Sequence, residues 1–218
     1  MGSFTEENYL KAIYHLSEND LSPVTTNGIS DLFNIKAASV TDMLKKLANK
    51  QLINYIKYQG VTLTPSGKNT AIEVIRKHRL WEVFLVDKLG FKWDEVHDIA
   101  EDLEHVNSAL LTERLDNFLG NPKIDPHGDP IPDKFGKIKQ QKLVKISAMK
   151  ADAIGTISGI CEHSAVFLKY LEKAGLLLGT KVKIKEIIEF DGSAVLILDK
   201  KTEVTISREA AKNILVVL

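Results

Sequence analysis

Residues 25–50 read TTNGISDLFNIKAASVTDMLKKLANK, and residues 51–64 continue QLINYIKYQGVTLT. Thr25-Thr26-Asn27 offers N-cap chemistry, and Ile29, Leu32 and Phe33 follow at helical spacing until Asn34 ends the segment. A further helix is predicted from about Ala37 to Lys50, with Val40, Met43, Leu44 and Leu47 apolar. Two short helices separated by so brief a turn form a helix-turn-helix pattern. Residues 52–58 and 61–64 then read as two short strands around Gln59-Gly60, a hairpin placed directly after the second of these helices. Upstream, Tyr9, Leu10, Ile13, Tyr14 and Leu16 predict a helix over 7–17. The sum is a winged helix-turn-helix.

Downstream, Pro65-Ser66-Gly67 opens a long helix that Gly90 stops, and further helices are predicted over 94–105 and 108–119. Residues 120–136 contain four of the six prolines and read as a loop. After about Leu143 the pattern changes to period 2. Val182, Ile184, Val195, Ile197, Val204, Ile206 and the 214–217 run predict strands of a small barrel, with a turn at Asp191-Gly192-Ser193 and one helix over 165–174. The expected architecture is mainly α with a β barrel, divided at 1–72, 73–140 and 141–218.

The composition of the 218 residues, 44% hydrophobic and 27% charged, excludes wholesale disorder. No apolar run approaches the roughly 20 residues of a membrane span, and the first residues lack the pattern of a signal peptide. The single cysteine, Cys161, excludes an internal disulfide or a multi-cysteine zinc site within one chain, so a reducing cytoplasm and no membrane partner are expected. The formal net charge of zero conceals an asymmetry: residues 1–80 carry +3 and residues 81–118 carry −7. The basic part could meet polyanions and the acidic part cations, although acidic helices are often simply solvated.

In a DNA-reading role the helix from Ala37 would enter the major groove. Lys36, Ala37, Ala38, Ser39, Thr41, Asp42 and Lys45 would face the duplex, and Lys57 and Tyr58 of the wing would face its backbone. The same shape also serves as a protein-protein module. The modest positive charge makes one copy a weak binder, which a dimer on two half-sites would remedy.

The most informative acidic stretch is His97-Asp98-Ile99-Ala100-Glu101-Asp102-Leu103-Glu104-His105. On a continuous helix, positions 97, 101, 104 and 105 share a face. Imidazole and carboxylate together suit a borderline or hard divalent cation, and His78 and Glu82, one turn apart, can add to them. The alternative is a face of mutual His–Glu ion pairs, against which the −7 local charge argues. An enzyme reading would use the same residues for hydrolysis, but no His-Glu-x-x-His, Gly-x-Ser-x-Gly or phosphate-binding glycine loop is present. A third reading is a one-component regulator whose barrel binds an organic ligand or a peptide.

The chain resembles the diphtheria-toxin-repressor family of metal-activated transcriptional repressors over nearly its whole length. The resemblance rests on Thr5-Glu6-Glu7-Asn8-Tyr9-Leu10, on Arg76-Lys77-His78-Arg79-Leu80, on Val96-His97-Asp98 through Glu104-His105, and on Gly128-Asp129-Pro130-Ile131-Pro132. It implies a winged helix, a helical metal-binding and dimerisation domain and a C-terminal SH3-like barrel. It also implies a homodimer on a double-stranded palindromic DNA operator. By the same resemblance a primary metal site uses Asn8, Glu101, Glu104 and His105. A second uses His78, Glu82 and His97, completed by Glu162 or His163 of the barrel, giving two ions per chain. Iron-sensing members have a Met at the position of Asn8 and a Cys at that of Glu101. Oxygen donors at both positions resemble the manganese-sensing branch, so Mn2+, or Fe2+, is the expected ion. That branch usually has Asp in place of Asn8, and its short members have Glu in place of Lys11.

Overall fold

The computed structural model describes residues 3–18, 23–139, 142–199 and 202–218. It divides into two compact units. The first comprises residues 1–78, 102–110 and 132–137, and the second 79–101, 111–131 and 138–218.

In the first unit, α1 (Phe4–Glu18), α2 (Thr26–Phe33) and α3 (Ala37–Asn49) precede the antiparallel hairpin of β1 (Ile53–Ile56) and β2 (Gly60–Leu63). Thr25 caps α2, its hydroxyl accepting from the Gly28 N–H at 3.0 Å, and Asn34 closes the helix in the left-handed region at φ 50°. Leu10, Ile13, Ile29, Val40, Leu44, Leu47 and Val61 form the core, so the apolar stripes of the three helices and the wing bury one another. The long helix α4 (Pro65–Leu89) begins hard against the chain leading into the wing. A Cβ on Gly67 would lie 1.9 Å from the Leu52 carbonyl oxygen, so only glycine permits this approach.

Glu6 ties α1 to α3. Its carboxylate, 1% exposed, lies 2.9 Å from the Lys46 Nζ and 2.8 Å from the Lys50 Nζ. Burial pushes the Glu6 pKa up, but the two lysines and the Ser3 N–H outweigh it and hold the group at about 2. A depressed carboxylate stabilises the folded state above its unfolded value of about 4.5 and loses that contribution as pH falls toward 2. Glu6→Gln should therefore destabilise the first unit by about 2 kcal/mol at pH 7. The deficit should shrink as the pH is lowered from 4.5 toward 2, in urea melts followed by circular dichroism.

In the second unit, the C-terminal half of α4 packs Leu80 and Val83 on Leu115 of α6 (Ala109–Phe118) and on Ile131. The six-stranded antiparallel sheet has the order β3-β8-β4-β5-β6-β7, built from Val144–Lys145, Ile154–Ile160, Lys181–Ile187, Ala194–Leu198, Glu203–Ile206 and Ile214–Val217 as β3 to β8 in chain order. Two helices accompany it, α7 (Ala165–Ala174), as expected, and α8 (Arg208–Asn213). Ile146, Ile157, Leu168, Leu171, Val182, Ile184, Leu196, Ile206, Ile214 and Val216 form its core, and Trp93 packs against them.

One expectation fails in a way that matters. The helix predicted over 94–105 is only α5 (His97–Leu103), and Glu104 and His105 lie in the turn beyond it. The helical face shared by His97 and Glu101 therefore does not continue to Glu104 and His105. The cause is long-range: the Glu104 and His105 side chains are held by α1 and His78 in the first unit, and these charged contacts outweigh two more residues of helix.

Candidate metal centres and nucleic-acid face

The first cluster lies on the inner side of α1. The His105 Nδ1 is 2.7 Å from the Glu7 Oε2, and its ring stacks on Phe4 with centroids 4.7 Å apart. With Nδ1–H donating to Glu7, the Nε2 lone pair is left open, and it faces the Glu104 Oε1 at 3.6 Å. Glu104 is fully buried. The Lys11 ammonium donates to both of its oxygens at 2.6 and 2.8 Å, and the His78 Nδ1 lies 2.6 Å from the Oε2. Burial pushes the Glu104 carboxyl up, but the His78 hydrogen bond and the Lys11 charge hold it below the usual carboxylate range. Asn8 sits between Glu7 and Lys11 on α1, and its Oδ1 is buried with no hydrogen-bond partner. A buried amide oxygen without a donor costs about 1–3 kcal/mol. An amide oxygen, a carboxylate and an imidazole Nε2 form a donor set suited to a hard or borderline divalent cation, and the orphaned oxygen fits such a role.

The second cluster lies in the second unit. Ligand atoms of Glu82, Asp125 and His127, all buried, come within 4.8 Å of one another. The His127 Nε2–H donates to the Trp93 carbonyl at 2.8 Å, which turns Nδ1 toward the Glu82 Oε2 at 3.4 Å. The Asp125 Oδ1 accepts from the N–H groups of His127 and Asp129 at 2.8 and 3.0 Å, so the side chain that would bind also folds its own loop. Burial, with the charges of Asp129 and Glu82, raises the Asp125 carboxyl to about 7. Burial also opposes charge on His127, but Glu82 and Asp125 overcome it and lift the imidazole to about 9. Gly128 holds the loop against β4: φ is +90°, and a Cβ there would meet the Ser158 carbonyl oxygen at 2.3 Å.

Around this core, the His97 Nδ1 is 3.6 Å from the Glu82 Oε1 and its Nε2 is 3.7 Å from the Glu101 Oε1. The His163 ring lies 5.1 Å from that of His127, and its buried Nε2 has no hydrogen-bond partner. Glu162 is exposed, with its Oε1 accepting from the Ser164 N–H at 2.8 Å. Of the two barrel residues, His163 is the one near the cluster. Within the first unit stand Asn8, His78, Glu104 and His105; within the second, Glu82, His97, Glu101, Glu162 and His163.

On the helix-turn-helix, Lys36, Ala37, Ala38, Ser39, Asp42 and Lys45 are exposed along the start of α3. Thr41 is half-buried and donates its hydroxyl to the Ala37 carbonyl at 2.9 Å. At the wing tip Tyr58 is 92% exposed, with the Lys57 ammonium 4.9 Å from its ring centroid. A helix start of small side chains beside a basic, aromatic wing suits close approach to a duplex.

Comparison with known proteins finds family models over most of the chain. Residues 3–61 match the family model described as "Iron dependent repressor, N-terminal DNA binding domain", and residues 64–133 match "Iron dependent repressor, metal binding and dimerisation domain". Residues 144–218 match the FeoA domain. A solved manganese-dependent transcriptional repressor in complex with manganese is 34% identical, with a TM-score of 0.89, covering 97% of this chain and 99% of that one. This chain belongs to the iron-dependent repressor family. The iron-dependent repressor IdeR of Mycobacterium leprae is 28% identical over 219 residues, 95% of this chain and 94% of its own. The diphtheria toxin repressor of Corynebacterium diphtheriae is 28% identical over 207 residues, 93% of this chain and 88% of its own.

In this repressor-family chain, Asp125 and His127 are the candidate ligands that the sequence reading missed. They lie in the proline-rich stretch read as a loop, directly before the Gly128–Pro132 segment that carried the resemblance. The signal was present: a histidine between two aspartates in Asp-Pro-His-Gly-Asp-Pro, where proline and glycine fix the backbone and little else needs charge.

Proposed function

We propose that this member of the iron-dependent repressor family is a manganese-responsive repressor that binds a palindromic operator as a homodimer and takes two ions per chain. The observation that carries the reading is the buried trio Glu82, Asp125 and His127, which gathers oxygen and nitrogen donors and no sulfur. Hard donors remove the advantage that thiolate or thioether gives to later metals. Among the described residues, no cysteine joins this group of ligand atoms. His163 is proposed as the barrel's contribution to this site, in preference to Glu162. Asn8, Glu104 and His105 are proposed for the other ion.

A bound divalent ion supplies a double positive charge that several donors share at once. The chain's own residues turn that into a change at the DNA face. Asn8, Glu104 and His105 fix α1 to the segment that follows α5. Glu7 holds the His105 ring so that Nε2 faces inward. Glu6 carries the fixed position of α1 to Lys46 on α3 and to Lys50, which caps it. In a dimer, the two copies of α3 must sit about one helical turn of DNA apart, roughly 34 Å, or a multiple of it. Holding α1 and α3 in one arrangement removes the other spacings. Metal affinity and operator affinity are then coupled with equal strength in both directions.

Manganese EPR titration of the purified chain tests the stoichiometry. The expected result is two bound ions per chain, reduced to one in Glu82→Gln. Two ions retained in Glu82→Gln would remove Glu82 from the ligands, and binding of Fe2+ but not Mn2+ would reassign the ion.

A further inference from the structure

Lys11 occupies an unusual place. It is one turn beyond Asn8 on α1, and its ammonium reaches across to Glu104, bonding both carboxylate oxygens at 2.6 and 2.8 Å. The carboxylate is 0% exposed and the lysine side chain 13% exposed. A buried carboxylate needs a compensating cation, and Lys11 supplies one in a two-pronged contact that uses the same lone pairs a divalent ion would use. The His78 Nδ1 takes one of the same two oxygens at 2.6 Å, so both oxygens are already engaged by protein donors, and a divalent ion arriving at either would meet the Lys11 charge.

We propose that the Lys11 ammonium is a built-in competitor for the divalent ion: it holds both oxygens of Glu104, must be expelled before that carboxylate can serve as a ligand, and so sets the metal concentration at which the first site fills. The inference rests on the proposed role of Glu104 as a ligand. Lys11 has a long flexible stem and a partly exposed head, so it can retract to water when displaced. It keeps the 104–105 segment seated on α1 with a monovalent charge, and only a cation bound strongly enough to repel and replace it gains the site. Abundant ions that surrender their water reluctantly, Mg2+ above all, are thereby discriminated against.

The test uses the full chain carrying Glu82→Gln, so that the first site titrates alone, with Mn2+ as the probe and EPR as the readout. Adding Lys11→Gln should tighten Mn2+ binding by roughly tenfold or more, because a charge-assisted contact no longer has to be broken. Adding Lys11→Arg, which keeps the charge and the two-pronged grip, should leave binding equal or weaker. Equal or weaker binding in Lys11→Gln, or tighter binding in Lys11→Arg, overturns the proposal. Adding Glu104→Gln separates the two claims. If it abolishes binding while Lys11→Gln changes nothing, only the competitor role fails. If Glu104→Gln binds as its parent does, the assignment of Glu104 fails and takes the inference with it. Thermal midpoints give a second readout: Lys11→Gln should melt lower than its parent in chelator and lose that deficit in saturating Mn2+. A purely structural lysine would show the same deficit in both. Should Lys11→Gln not fold, Lys11→Met, which keeps most of the stem and loses the charge, takes its place with the same expected tightening and the same overturning result.

Discussion

His127→Ala is expected to weaken Mn2+ binding at the loop site by about a hundredfold or more, leaving one ion per chain in EPR titrations. The imidazole is one of three buried donors whose ligand atoms lie within 4.8 Å of one another, and its Nδ1 is aimed by the Nε2–H bond to the Trp93 carbonyl. Alanine removes both the donor and the aim. It also leaves Glu82 and Asp125 facing each other without the imidazolium between them, which removes a charge that holds the Asp125 carboxyl down. The pH dependence has a definite sign. Because the folded protein holds the His127 proton up to about 9 and the Asp125 proton up to about 7, protons compete with metal, and affinity at this site should rise with pH across that window. Affinity that is flat in pH, or an unchanged two-ion stoichiometry in the alanine variant, would remove His127 from the site.

The second large effect is expected at Asn8. Its Oδ1 is buried without a protein partner, so Asn8→Ala deletes no hydrogen bond made by that oxygen and should leave the chelated protein's thermal midpoint unchanged or slightly raised. The same change should weaken Mn2+ binding at the first site, and with it manganese-dependent operator binding, by about tenfold to a hundredfold. Asn8→Asp should act the other way on metal, since a carboxylate adds a negative charge to the donor set. A large loss of stability in Asn8→Ala with metal affinity intact would make Asn8 a structural residue instead. Calorimetric melts in chelator and Mn2+ titrations on the same three proteins distinguish the outcomes.

The winged helix was legible because its signals are local. The Thr25 cap, the Asn34 stop and the Gln59-Gly60 turn each act within a few residues, and the apolar stripes have one period. The barrel was legible where strands alternate, as in β5, β6 and β7. It was illegible at β4, whose Gly155 and Gly159 are both buried; a Cβ at Gly155 would meet Val216 at 3.0 Å. The short helix α8 was missed as well. Its cap, Ser207 accepting from the Ala210 N–H at 3.1 Å, starts a helix of only six residues, too brief for periodicity to register. The acidic helix misled for the opposite reason. Sequence spacing extends α5 through Glu104 and His105, but contacts with residues remote in the chain, the Lys11 ion pair to Glu104 and the Glu7 hydrogen bond to His105, end it at Leu103. Asp125 and His127 escaped because a site assembled from a loop and a distant helix leaves no repeating spacing.

The central claim is that a divalent ion held by these side chains governs the DNA face. The sharpest test is operator retention by the purified chain, measured by fluorescence anisotropy in chelator and again with added Mn2+. Weak binding is expected in chelator, at least tenfold tighter binding with Mn2+, and loss of that gain in Asn8→Ala. Equal operator affinity with and without Mn2+ would contradict it.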